Sequence, residues 1–148
     1  MLEKALLLIE TYFKGKVDKA GKPYTNHLIA VSEQVDSEED KIVALLHDII
    51  EDTDISIEEL NRVIPMKLIE RILLLTHDPK CTYDEYITNI LDCGDIHVIR
   101  IKMADMWHNM DLSRLDIITT KDLQRFKKYR DYYKKLEKKY IQMLGNNM

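Results

Sequence analysis

The sequence predicts an all-α protein forming one domain over residues 1–148. Apolar residues recur at three- and four-residue steps through most of the chain, as one face of a helix requires. No credible apolar/polar alternation marks a strand, and Val31 or the Ile117-Ile118 pair are too isolated to count. Four Gly and three Pro leave few turn signals and no linker, while 45% hydrophobic residues suffice for a sizeable core.

The elements follow in order. Met1 to Phe13 reads as an amphipathic helix whose acidic punctuation distinguishes it from a signal peptide. Pro23 opens a second helix, Tyr24 to about Gln34, that carries His27. Ser37-Glu38-Glu39-Asp40 caps a third, expected to run through Ile50 with His47-Asp48 in its last turns. Ser56-Ile57-Glu58-Glu59 resembles a capping box for a short helix, and Pro65 opens another to about Leu75. Thr82 to Leu91, Asp95 to about Leu112, and Thr120 to Leu144 complete the set. The last is basic: residues 121–139 hold nine Lys/Arg against three acidic residues, so they carry +6 and the remainder −10 of a net −4. Leu123, Phe126, Tyr133, Leu136, Tyr140 and Met143 are expected to pack inward, leaving the lysines as a solvated face or as a rim that attracts an anionic nucleotide. The acidic remainder argues against nucleic acid as a partner, and no apolar run approaches the length of a membrane span. Cys81 and Cys93 lack metal-ligand spacing and read as free thiols of a reducing cytoplasm. Oligomeric state leaves no mark in the sequence.

Function is carried by Leu45-Leu46-His47-Asp48-Ile49-Ile50-Glu51-Asp52-Thr53, where four ionisable groups interrupt an apolar run. Buried carboxylates are costly unless paired or bound to a metal, so the segment calls for a counter-charge. On a continuous helix the four would share one polar face. A second constellation, Lys102, Asp105, His108 and Asn109, shares a helical face amid apolar neighbours, and His27 is a third candidate. His27, His47, Asp48 and Asp105 offer two imidazoles and two carboxylates, a set suited to a mid-row divalent ion such as manganese and not to a thiolate-loving site, with zinc also compatible. His77-Asp78 lacks a following acidic pair and reads as a helix-ending turn; His97 reads as an exposed or half-buried polar residue. His108 is either an orienter of the site or a capped core histidine, Trp107 is expected in the core, and Tyr24 and Tyr86 are candidates for stacking.

Three blocks carry a resemblance: Lys19-Ala20-Gly21-Lys22-Pro23-Tyr24 with His27; Leu46-His47-Asp48-Ile49-Ile50-Glu51-Asp52-Thr53; and Ile101-Lys102-Met103-Ala104-Asp105 with His108-Asn109-Met110. In this order they resemble the HD-domain metal-dependent phosphohydrolases, and more narrowly the hydrolase domain of RelA/SpoT-type enzymes and the small alarmone hydrolases, from about Gly15 to Met110. The resemblance implies an HD-domain helical bundle with a metal site between helices. It further implies one Mn²⁺ on His27, His47, Asp48 and Asp105, with Glu51 and Asp52 positioning or deprotonating the attacking water and Asn109 contacting a nucleotide. The implied reaction removes the 3′-pyrophosphate of guanosine tetra- or pentaphosphate, and the length fits a hydrolase domain standing alone. Lys19 and Lys22, with Lys16, are placed to contact phosphate, and Lys102 and Arg114 either touch substrate or balance charge. The family's basic pair before the Gly-x-Pro-Tyr stretch is replaced here by Val17-Asp18. That departure keeps open an HD phosphohydrolase acting on another phosphorylated nucleotide. A nucleotide-sensing bundle without turnover is the non-enzyme alternative, disfavoured by the presence of both Glu51 and Asp52.

Overall fold

The computed structural model describes residues 1–146. Nine α-helices account for most of them: α1 (Leu2–Tyr12), α2 (Thr25–Glu33), α3 (Glu38–Leu46), α4 (Ile49–Asp52), α5 (Ile57–Asn61), α6 (Met66–Leu74), α7 (Tyr83–Asp92), α8 (Ile96–Asn109) and α9 (Thr120–Asn146). A single 3₁₀ turn, Leu112–Arg114, joins α8 to α9. Among the described residues there is no strand, only an isolated antiparallel bridge between Val17 and Pro23.

Helix starts follow local chemistry. The Ser37 hydroxyl accepts the Asp40 amide at 3.1 Å, Ser56 accepts that of Glu59 at 3.0 Å, and Thr82 with Glu85 forms a full capping box. Asp95 caps α8 by accepting the amides of His97 and Val98.

Helix α3 is the hub. Ile42, Val43, Ala44, Leu45 and Leu46 are all buried, so it is apolar on every side and packs against α1, α2, α6 and α8. Helix α8 is nearly as enclosed and lies between α2, α3, α7 and α9. The two most buried helices thus carry the two polar constellations.

The expected continuous helix from Ser37 to Ile50 is interrupted. It ends at Leu46; His47 caps it, Asp48 leaves helical geometry (φ −103°, ψ 0°), and α4 begins at Ile49. The His47 ring sits 2.6 Å from the Ala44 carbonyl oxygen, taking an acceptor that the next helical turn would have used. His47 and Asp48 are therefore aimed by a kink and not by a helical wheel.

Two expectations for the core are corrected. Trp107 is 59% exposed at the edge of α8, tilted against Tyr133 of α9. On α9 Leu136 is buried and Tyr133, Tyr140 and Met143 are half-buried against the core, as expected, and Phe126 is half-buried in a cavity wall, whereas Leu123 is exposed. The reason is geometric: α9 packs on α8 and α7 from outside, so one helix face cannot be enclosed.

Candidate metal centre and cavity

Four side chains from α2, the α3–α4 kink and α8 converge. His27 Nε2 lies 2.9 Å from Asp105 Oδ1, and His47 Nε2 lies 3.3 Å from the same oxygen and 3.2 Å from Asp48 Oδ2. Ligand atoms of His27, His47 and Asp48 all fall within 4.8 Å of one another. His27, His47 and Asp105 are buried and Asp48 is nearly so. The sequence-predicted set is brought together whole.

The donor chemistry suits a cation. The contact of His47 Nδ1 with the Ala44 carbonyl needs a proton on Nδ1, which leaves the Nε2 lone pair pointing at two carboxylates. That arrangement is repulsive unless Nε2 is also protonated or a cation stands between the groups. Without a metal the proton takes that place: although burial opposes it, the charges of Asp48 and Asp105 hold the His47 pKa well above the usual histidine range. A divalent ion can replace that proton.

Supporting contacts fix each group. His27 Nδ1 faces His108 Nδ1 at 2.7 Å with the rings stacked, so His108 lies against the back of the His27 ring. Burial and the neighbouring His27 and Arg114 push the His108 pKa down to about 4, so this ring is neutral near pH 7; an ion on His27 Nε2 would require the His27 proton on Nδ1, where His108 Nδ1 can accept it. Tyr24, stacked on Phe13, donates its hydroxyl to Asp48 Oδ2 at 2.6 Å. Asn109 Nδ2 donates to Asp105 Oδ1 at 3.1 Å while its residue remains exposed.

Lys102, expected near substrate, is buried instead: its Nζ lies 2.8 Å from Asp105 Oδ2 and 4.9 Å from the ring centre of Tyr86. It balances charge. Tyr86 in turn is buried and donates to the Leu75 carbonyl, so it is closed to a nucleobase.

Glu51 and Asp52 extend the acidic side outward from Asp48, and one oxygen of each lies within 4.8 Å of Asp48. Glu51 Oε1 accepts the His77 amide at 2.6 Å, a contact that sequence reading missed because a backbone N–H leaves no trace in a side-chain pattern. Burial, then the charges of Asp48 and Glu51, push the Asp52 pKa up to about 6. Lys16 Nζ donates to the Asp52 carbonyl, tying the 13–24 segment to α4.

A cavity of about 440 Å³ opens from Tyr24, His27 and Asn109. Its far walls include Val17, Leu112, Leu115 and Phe126, with Lys19 at the rim. Lys22 is exposed and outside the lining; its amide closes the Asp18 turn. Gly21 makes that turn possible at φ +77°, a conformation other residues adopt with strain.

No family model matches the chain. It is 30% identical over 122 residues to the bifunctional (p)ppGpp synthase/hydrolase SpoT of Escherichia coli K12, covering 74% of this chain and 17% of SpoT. It is 34% identical over 105 residues to a probable guanosine-3′,5′-bis(diphosphate) 3′-pyrophosphohydrolase of Synechocystis, covering 62% of this chain and 14% of that protein. The chain thus spans about a sixth of the length of these relatives. A solved structure described as a metazoan ortholog of SpoT that hydrolyses ppGpp superposes with a TM-score of 0.73 at 23% identity, covering 99% of this chain and 94% of that one. With the His27, His47-Asp48 and Asp105 constellation at the meeting of α2, α3 and α8, these likenesses make the chain an HD domain of the RelA/SpoT type.

Proposed function

We propose that the protein is a cytoplasmic, Mn²⁺-dependent guanosine-3′,5′-bis(diphosphate) 3′-pyrophosphohydrolase. The observation that carries this reading is the convergence of His47 Nε2 and His27 Nε2 on Asp105 Oδ1, beside Asp48, with His27 also lining a cavity of about 440 Å³. The names borne by the relatives support the same substrate.

In this reading His27, His47, Asp48 and Asp105 hold one ion. When bound, such an ion lowers the pKa of water and neutralises charge on phosphoryl oxygens. Glu51 and Asp52 face that position from the solvent side, Glu51 to accept the proton of the attacking water and Asp52 to position that water. The His77 amide holds the Glu51 carboxylate in place, and Tyr24 does the same for Asp48. Asn109, hydrogen-bonded to Asp105 and lining the cavity, lies where a ribose emerging from the cavity would meet the metal ligands. Lys19 supplies a phosphate contact at the rim.

Pyrophosphate release from guanosine 3′,5′-bispyrophosphate by metal-stripped protein, with and without added Mn²⁺, tests the proposal. Mn²⁺-dependent release is expected. Hydrolysis confined to other nucleotides in a parallel panel would replace the substrate while keeping the site, a second reading favoured by one observation: Asp18 places a carboxylate in the cavity wall.

A further inference from the structure

Six charged residues line the cavity, and their charges cancel: Lys19, Arg114 and Arg125 against Asp18, Asp111 and Asp122. Both guanidinium groups are already engaged. Arg114 Nη2 lies 2.7 Å from Asp18 Oδ2 while Nη1 donates to the His108 carbonyl at 3.1 Å, and Arg125 Nη2 lies 2.5 Å from Asp122 Oδ1. Asp18 is held on its other oxygen by the amides of Ala20 and Lys22, at 2.9 and 3.0 Å, and its side chain is 9% exposed. A phosphate that captured Arg114 would strand that carboxylate with little water to solvate it, a costly exchange. Lys19, the remaining cation of the wall, is exposed, and an exposed ion pair changes affinity by no more than about fivefold.

We infer that Asp18 makes the cavity insensitive to how many phosphates its nucleotide carries: by locking Arg114 in an internal ion pair it removes a phosphate anchor from the wall, so affinity is nearly independent of the number of 5′-phosphates. The inference rests on the nucleotide reading proposed above. It adds a specificity-determining pair, Asp18 and Arg114, that brings the segment before α2 onto the 3₁₀ turn after α8.

Asp18→Asn is the informative variant, because the amide oxygen still accepts from Ala20 and Lys22 while the negative partner of Arg114 is lost. The dissociation constants of guanosine 5′-mono-, di- and triphosphate would be measured by calorimetry on the full chain. No divalent cation is added, so the phosphates keep their full charge. For the native sequence the three constants are expected within about fivefold of one another. In Asp18→Asn affinity is expected to rise by about tenfold or more from mono- to triphosphate, and the double variant Asp18→Asn, Arg114→Gln is expected to lose that gain. A twentyfold or steeper dependence in the native protein, an unchanged dependence in Asp18→Asn, or no binding of any of the three would each overturn the inference. Hydrolysis of guanosine 3′,5′-bispyrophosphate is assayed on the same preparations: loss of that activity with the binding pattern intact would refute the proposed reaction and leave this inference standing.

Discussion

Lys102 Nζ lies 2.8 Å from Asp105 Oδ2, one turn apart on α8, with each side chain less than a tenth exposed. Burial alone would favour the neutral forms of both. Their mutual charge instead holds the lysine well above and the carboxyl well below the usual values, with His47 and His27 adding to the effect on Asp105. Replacing Lys102 with Met keeps the volume and strands the carboxylate. In chelator-treated protein the Lys102→Met variant is expected to lose about 3 kcal/mol in urea unfolding, since breaking a buried pair from one side typically costs 3–5 kcal/mol. Because the Asp105 pKa is lowered on folding, the native pair's contribution is present above the unfolded carboxyl value and fades as pH falls through the folded one. Added Mn²⁺ should return part of the lost stability, as a ligand bound only by the folded state does. Equal stability of variant and parent without metal would show that the histidines alone satisfy Asp105.

The His27 to His108 contact can hold the tautomer that an ion requires. An ion on His27 Nε2 would require the proton of His27 on Nδ1, where neutral His108 can accept it, so that Nε2 presents a lone pair toward Asp105 and the proposed ion. His108→Ala is expected to weaken Mn²⁺ binding by about 10- to 100-fold in calorimetry, the usual cost of losing a supporting partner. His108→Asn, which can still accept from His27, should recover much of that. If both variants bind as tightly as the parent, the contact does not orient the ligand.

Asp52 gives a pH-dependent test. Its folded pKa of about 6 lies above the ordinary carboxyl value of 3.8, through burial first and then Asp48 and Glu51. The folded state therefore holds this proton more tightly than the unfolded state, and stability is lost as pH rises from about 4 through about 6. Asp52→Asn removes the charge, so in metal-free protein its melting temperature should exceed the parent's at pH 7.5, with the gap closing by pH 4. A gap independent of pH would mean that Asp52 is not the group under strain.

The fold class and the four proposed ligands were legible because each leaves a mark in side-chain pattern. Polar groups at His47-Asp48 and Asp105 stand out against apolar neighbours, and caps at Ser37, Ser56, Thr82 and Asp95 announce helix starts. What escaped depends on backbone groups or on long-range pairing. The break at His47 comes from a ring competing for the Ala44 carbonyl, and Glu51 is held by a main-chain amide 26 residues away. Arg114 meets Asp18 across 96 residues, a pairing no local spacing encodes. The sequence leaves Lys102 open between substrate contact and charge balance, because a helical wheel places it with Asp105 without saying whether that face opens to a cavity or closes against Tyr86.

The division of labour between Glu51 and Asp105 can be separated by isosteric change. Glu51→Gln keeps Oε1 as the acceptor of the His77 amide, so the α4 end and its loop should remain in place while the side chain can no longer take a proton. Loss of a general base typically costs about 10²- to 10⁴-fold, and a kcat reduction in that range with unchanged Mn²⁺ affinity is expected for Glu51→Gln. Asp105→Asn keeps the shape of a residue that touches His27, His47, Lys102 and Asn109, yet removes the charge an ion would need there. Its Mn²⁺ affinity should fall by at least the about 10- to 100-fold that disturbing a supporting partner alone produces, and its turnover should recover partly at high Mn²⁺, whereas that of Glu51→Gln should not. Equal loss of metal from both variants would move Glu51 into the ligand set and leave Asp52 as the remaining carboxylate able to accept the proton of water.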